Sequence, residues 1–132
     1  ALDFGMPMGP LQLADTVGLD ICHSVAKVFT RYFDRPIPKT LTKMIADGHL
    51  GVKSGRGFYR YRKGTKAFSW PRRRRKEQQE VLLDRLLQPL LLEAEACLTE
   101  GIVTSADLVD AGMIFGTGFA PYTGGPLTYQ RQ

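Results

Sequence analysis

Two Gly/Pro-rich bends with matching ends constrain this chain more than any other feature. The first is Phe4-Gly5-Met6-Pro7-Met8-Gly9-Pro10-Leu11; the second runs from Phe115-Gly116 to Gly124-Gly125-Pro126-Leu127. Both open on Phe-Gly, pass through a Pro-containing apolar bend and close on Gly-Pro-Leu, the second being five residues longer. Glycine admits backbone angles and close approaches that other residues resist, while proline fixes φ and donates no hydrogen bond. Gly-Pro ahead of an apolar periodic run predicts a loop entering a helix, with proline at its first position. Two such entries in one chain predict a duplicated helical unit.

A chain of 132 residues is one domain or two small halves sharing a core. Its 43% apolar content suffices for a packed interior. No apolar run approaches the ~18 residues of a spanning helix, so no membrane partner is expected. No signal-peptide or targeting pattern is visible, and the abrupt start at Ala1-Leu2-Asp3 reads as a cut. The net charge of +5 equals the charge of one run, Arg72-Arg73-Arg74-Arg75-Lys76, so the basicity is local. Cys22 and Cys97 fall within helical patterns, which fits small buried thiols in a reducing, cytoplasmic setting better than a disulfide framework.

Taken in order, Pro10 to Val17 predicts a short helix stopped by Gly18 in a left-handed cap. Asp20 is expected to cap a second helix to about Phe33, with Ile21, Val25, Val28, Phe29, Tyr32 and Phe33 on its apolar face and His23 towards solvent. A third helix, Lys39 to Asp47, is expected to bury Leu41, Met44 and Ile45 and to stop at Gly48. The stretch Gly51-Val52-Lys53-Ser54-Gly55-Arg56-Gly57 then makes a loop, with Phe58, Tyr59 and Tyr61 anchoring an extended segment. Such a loop could cradle phosphate through its N–H groups, but it lacks a P-loop ending and opens no dinucleotide-binding helix. A structural loop pinned by aromatics is the preferred reading. His49 has no partner at ligand spacing, and metal binding is not supported.

Residues 62–76 form a basic linker between a first helical repeat, 1–61, and a second, 77–132. Nucleic-acid binding by Arg72–Lys76 is disfavoured, because only Trp70 lies alongside as a stacking aromatic. The longest helix spans about Glu77 to Glu100; it is apolar on most sides, suits the centre of a bundle, and is kinked at Pro89. Glu93 shares a face with Leu82, Leu86 and Leu90, so it is expected to be buried and hydrogen-bonded. Thr104 and Asp107 then resemble a capping box opening a helix to about Ile114.

Four pieces, Phe4 to Asp20, Gly51 to Tyr61, Asp84 to Gly101 and Asp110 to Leu127, together resemble the C-terminal region of the 3-hydroxyacyl-CoA dehydrogenases. The resemblance is strongest to the multifunctional fatty-acid oxidation alpha subunits, where this helical domain is duplicated. It implies an all-α, duplicated helical-bundle unit whose first copy lacks its long helix. It further implies a parent enzyme that oxidises L-3-hydroxyacyl-CoA with NAD, and a fragment that is inactive alone. The family's His–Glu pair and dinucleotide-binding turn have no match here. Asp84-Arg85 stands at the place corresponding to the family's asparagine. No catalytic or cofactor-binding residue is therefore carried over. Met6, Pro7, Met8 and Pro10 match the family bend near the acyl chain; their methionines would line an adaptable apolar site or fill core gaps. Acyl-CoA, a homodimer partner and a thiolase subunit are the implied partners.

Overall fold

The computed structural model describes residues 1–33, 36–63, 65–66 and 76–131. It divides into two compact units, one made of Ala1–Pro7 with Pro71–Gln132 and the other of Met8–Trp70. Six helices and one two-residue antiparallel hairpin are present among the described residues, and the all-α expectation holds. No helix there is long and apolar enough to cross a membrane. Trp70 and Arg72–Arg75 lie outside the described residues, as does the side chain of Lys76.

In the Met8–Trp70 unit, α1 (Pro10–Val17) starts with proline at its first turn after an extended Gly9, as the Gly-Pro signal predicts. Gly18 donates its N–H to the Ala14 carbonyl and at φ 109° turns the chain straight into α2 (Leu19–Phe29). Asp20 does not cap this helix, because Gly18 occupies the cap position. Its carboxylate reaches Lys53 instead, at 2.5 Å. That ammonium holds the Asp20 carboxyl below the usual carboxylate range.

Helix α2 stops at Phe29, four residues before its apolar pattern does. The chain continues in turns that set the Phe33 ring edge-on to Phe29, at 5.9 Å between centroids. His23 is half-buried, not solvent-facing. Helix α3 (Lys39–Ala46) packs on α2 with Leu41, Met44 and Ile45 half-buried. A short 3-10 turn (Val52–Ser54) follows, then β1 (Tyr61–Arg62) and β2 (Thr65–Lys66).

The other unit is built on α4 (Lys76–Thr99), α5 (Ala106–Thr117) and α6 (Pro126–Gln130). Pro89 lies inside α4. Leu87 and Ala94 are buried, but Val81, Leu82, Leu86 and Leu92 are exposed, so α4 is not enclosed as a central helix would be. Glu93 is exposed as well; of the leucines it follows along the helix, Leu82 and Leu86 are exposed and Leu90 is half-buried against the core. Ser105, not Thr104, caps α5: its hydroxyl accepts the Leu108 N–H at 3.3 Å. The helix runs on to Thr117 and ends at a left-handed Gly118.

Its core has two parts. Ala94, Val109 and Leu127 form one, and Phe4, Leu87, Phe119 and Ala120 form the other. Phe4 comes from the first bend and Phe119 from the second, so the two bends meet in one apolar cluster. Their rings stand edge to face with centroids 5.6 Å apart, and Tyr129 joins them at 5.3 Å from Phe4.

Candidate functional site

The first bend is held by its own turn and by the aromatic cluster. Phe4 and Met6 both donate their N–H groups to the Ala1 carbonyl at 3.1 Å, and Gly5 donates to Leu2 at 2.9 Å. Met6 is half-buried against the Phe4 cluster, while Pro7 stays exposed over Gly118. A Cβ on Gly118 would lie 2.8 Å from Pro7 Cγ, and the φ of 72° there also favours glycine. Met8 is half-buried in the other unit, with the Thr16 hydroxyl 3.9 Å from its Sδ, and Pro10 is exposed at the start of α1. Met6 and Pro7 thus belong to one unit, Met8 and Pro10 to the other.

Asp15 organises the glycine-rich loop. It is fully buried, and its carboxylate accepts the Phe58 N–H, the Tyr59 N–H and the Tyr61 hydroxyl, each at 2.9 Å. Gly57 packs so closely that a Cβ would lie 2.0 Å from Asp15 Oδ1; at Gly51 it would lie 2.2 Å from the Asp15 carbonyl oxygen. The loop is therefore built to surround an anion, and the anion is the protein's own. The Phe58 and Tyr59 N–H groups, which could have met a phosphate, are already occupied. Of the three aromatics expected to anchor it, Tyr59 and Tyr61 face inwards, whereas Phe58 is exposed.

Burial together with the Asp15 carboxylate pushes the Tyr61 hydroxyl up to about 12. A phenol whose ordinary value is 10 and whose folded value is raised contributes stability that is complete below 10 and lost as pH climbs towards 12. Thermal melts between pH 8 and pH 12 should show this decline in the wild-type chain. Tyr61→Phe should shallow it and should cost about 1–3 kcal/mol at neutral pH, the worth of a hydrogen bond to a charged group. An unchanged alkaline slope in Tyr61→Phe would contradict the assignment.

A second buried carboxylate, Asp110 on α5, plays the same part in the other unit. It accepts the Leu127 N–H at 2.7 Å, the Thr128 N–H at 3.1 Å and the Thr128 hydroxyl at 2.7 Å. These are the free donors at the start of α6, where negative charge is favoured. Gly125, at φ 111°, lies so close that a Cβ would sit 2.3 Å from Asp110 Cβ. Neither aspartate was singled out by pattern. The usable signal was an acidic residue among apolar helix positions with a glycine-rich loop elsewhere in the chain.

A shallow cavity of about 460 Å³ opens beside Asp110, lined by Ile114, Phe115 and Pro121 among others. Every oxygen of Asp110 that faces α6 is already engaged by it, so the cavity offers an apolar wall more than a charged site.

Residues 1–61 match the family model described as 3-hydroxyacyl-CoA dehydrogenase, C-terminal domain. A fatty acid oxidation complex subunit alpha from Vibrio cholerae serotype O1 (strain ATCC 39541 / Classical Ogawa 395 / O395) is 37% identical over 97% of this chain and 20% of its own length. Proteins of the same name from Idiomarina loihiensis and Shewanella sp. (strain ANA-3) are 38% and 34% identical over 96% of this chain. The chain spans about a fifth of the length of these curated relatives, 19% to 20%.

Proposed function

We propose, for a chain whose residues 1–61 belong to the 3-hydroxyacyl-CoA dehydrogenase C-terminal domain family, a substrate-side and assembly role in an NAD-dependent L-3-hydroxyacyl-CoA dehydrogenase of fatty-acid β-oxidation. The parent enzyme would work in the cytoplasm and yield 3-oxoacyl-CoA; this chain would wall the acyl tail and carry none of the hydride transfer. The observation that supports this most is the fixed first bend. Phe4 is buried, and Pro7 rides on Gly118, so Met6 and Pro7 are presented from a rigid base. Methionine adapts to apolar tails of different length.

The glycine-rich loop does not offer a dinucleotide the backbone cradle it needs. The pyrophosphate needs free N–H groups at a strand–turn–helix, and in the Gly51–Tyr61 loop Asp15 takes those of Phe58 and Tyr59. NAD is assigned to other parts of the parent enzyme, and no step is derived through it.

Calorimetric titration with 3-hydroxyacyl-CoA of increasing chain length, with and without NAD, tests the proposal. Affinity should rise with chain length, ignore NAD, and lose its length dependence in a Met6→Ala chain. Each buried methylene is worth up to about 0.8 kcal/mol, so the effect is readily measured. No dependence on chain length in the wild type would remove the acyl-wall role.

A second reading, pure assembly, is favoured by the apolar faces left open on α2 and α4. Ile21, Val25, Val28 and Phe29 are about half exposed on the first, and Val81 and Leu92 more so on the second. Such faces suit a second copy of the chain or a thiolase subunit.

A further inference from the structure

Between Gly48 and Lys76 the sequence holds eleven Lys and Arg and no Asp or Glu. The structure shows how part of this charge is displayed. Arg56 and Arg60 face each other directly across an antiparallel bridge, and Arg62 follows two residues later along the same extended segment. Residues two apart on a strand share a face, and directly opposed residues bring their Cβ atoms to about 4.5–5.5 Å. All three arginines are exposed, as is Lys63 in the hairpin turn. The tyrosines that alternate with them face inwards, Tyr61 hydrogen-bonded to Asp15.

Like charges directly opposed across a bridge destabilise it. Lys53 nearby has Asp20 as its counter-ion, but Arg56, Arg60 and Arg62 have no ion pair among the described residues. The backbone beneath them is fixed by a buried carboxylate that is wholly occupied and cannot serve them. Three exposed arginines set close together along a bridged backbone are complementary to closely spaced phosphate groups, which arginine binds through paired N–H donors. Phe58, exposed at the tip of the bend between Arg56 and Arg60, adds a ring face on which a planar base can stack.

We propose that Arg56, Arg60 and Arg62, with Phe58, form a docking face for a nucleotide pyrophosphate of the coenzyme A type. The proposal rests on the acyl-CoA reading above and assigns to this face the phosphate end of that molecule. Coenzyme A carries a pyrophosphate, a further 3′-phosphate and an adenine ring, one partner for each element of the face.

The test is calorimetric titration of the chain with coenzyme A, with acyl-pantetheine, which lacks the phosphates and adenine, and with poly(U). Wild type is compared with Arg60→Ala/Arg62→Ala and with a control, Lys27→Ala/Lys43→Ala, which removes exposed charge elsewhere in the same unit. Coenzyme A should bind the arginine variant about tenfold or more weakly than the wild type, the loss of charge-assisted hydrogen bonds, and should bind the control normally. Lys replacements at Arg60 and Arg62 should recover part of the affinity. Acyl-pantetheine should bind wild type and arginine variant alike.

Equal coenzyme A affinity in all variants, or no coenzyme A binding at all, overturns the proposal. Tighter binding of poly(U) through the same arginines overturns it in favour of a nucleic acid. If acyl-pantetheine fails to bind while coenzyme A binds through the arginines, the acyl-wall reading falls and the arginine face stands.

Discussion

Replacing Asp15 with alanine is expected to unfold the Met8–Trp70 unit while the helices of the other unit persist. The carboxylate is fully buried and accepts three hydrogen bonds, two from loop backbone and one from Tyr61. Removing it strands three donors in the space it filled, a loss of about 3–5 kcal/mol by analogy with other buried charged partners. Stability of about 0.05–0.15 kcal/mol per residue gives a unit of this size roughly 3–9 kcal/mol, of which the loss removes a large share. Leu19 is the one fully buried large apolar side chain among its described residues, so packing offers little compensation.

Asp15→Asn should be less severe, keeping one acceptor oxygen but turning an NH2 towards N–H donors. Asp15→Glu has no room, since Gly51 and Gly57 already touch the aspartate. Denaturant unfolding followed by residue-resolved NMR would separate the two units. A chain in which resonances of residues 10–62 stay dispersed after Asp15→Ala would refute the anchor.

That anchor explains what the sequence could and could not disclose. Gly-Pro entries placed α1 and α6, and helical periodicity found α2 to α5, because both signals are local. Asp15 reads locally as an ordinary helix residue. Its role depends on a loop more than forty residues away, and only the fold supplies the donors. The same holds for Asp110 and the start of α6. Glu93 failed in the opposite sense, for its neighbours Leu82 and Leu86 are themselves open to solvent. Periodicity identifies an apolar face but does not say whether anything covers it.

Asp20 and Thr104 show a finer limit. Both have the chemistry of a cap and stand within two residues of the observed helix start, yet Gly18 and Ser105 hold the cap positions. Backbone turning decides the boundary, and a side chain that loses it finds other work, as Asp20 does with Lys53.

The repeated bends carry the other large expected effect. Phe4→Ala should destabilise the unit containing α4, α5 and α6 by about 3–5 kcal/mol, the usual cost of emptying a buried aromatic site. Phe4 is 6% exposed and meets Phe119, Tyr122 and Tyr129 edge to face, with Leu87 below. Phe115, the residue that matches it in the second bend, is 88% exposed, so Phe115→Ala should change stability by no more than about 0.5 kcal/mol. In the second bend the core position is taken by Phe119 instead, four residues on. Equal motifs therefore have unequal fates, and the pair of alanine variants measures the difference directly.

Because Met6 and Pro7 follow Phe4 in the same turn, its loss should also loosen the proposed acyl wall. Chain-length dependence of acyl-CoA affinity should fall in Phe4→Ala under conditions where the unit is still folded, with coenzyme A affinity unchanged at Arg56, Arg60 and Arg62. Parallel loss of both would mean that the bend and the arginine face do not act as separate sites. Loss of neither would mean that Phe4 holds the core together without positioning the wall.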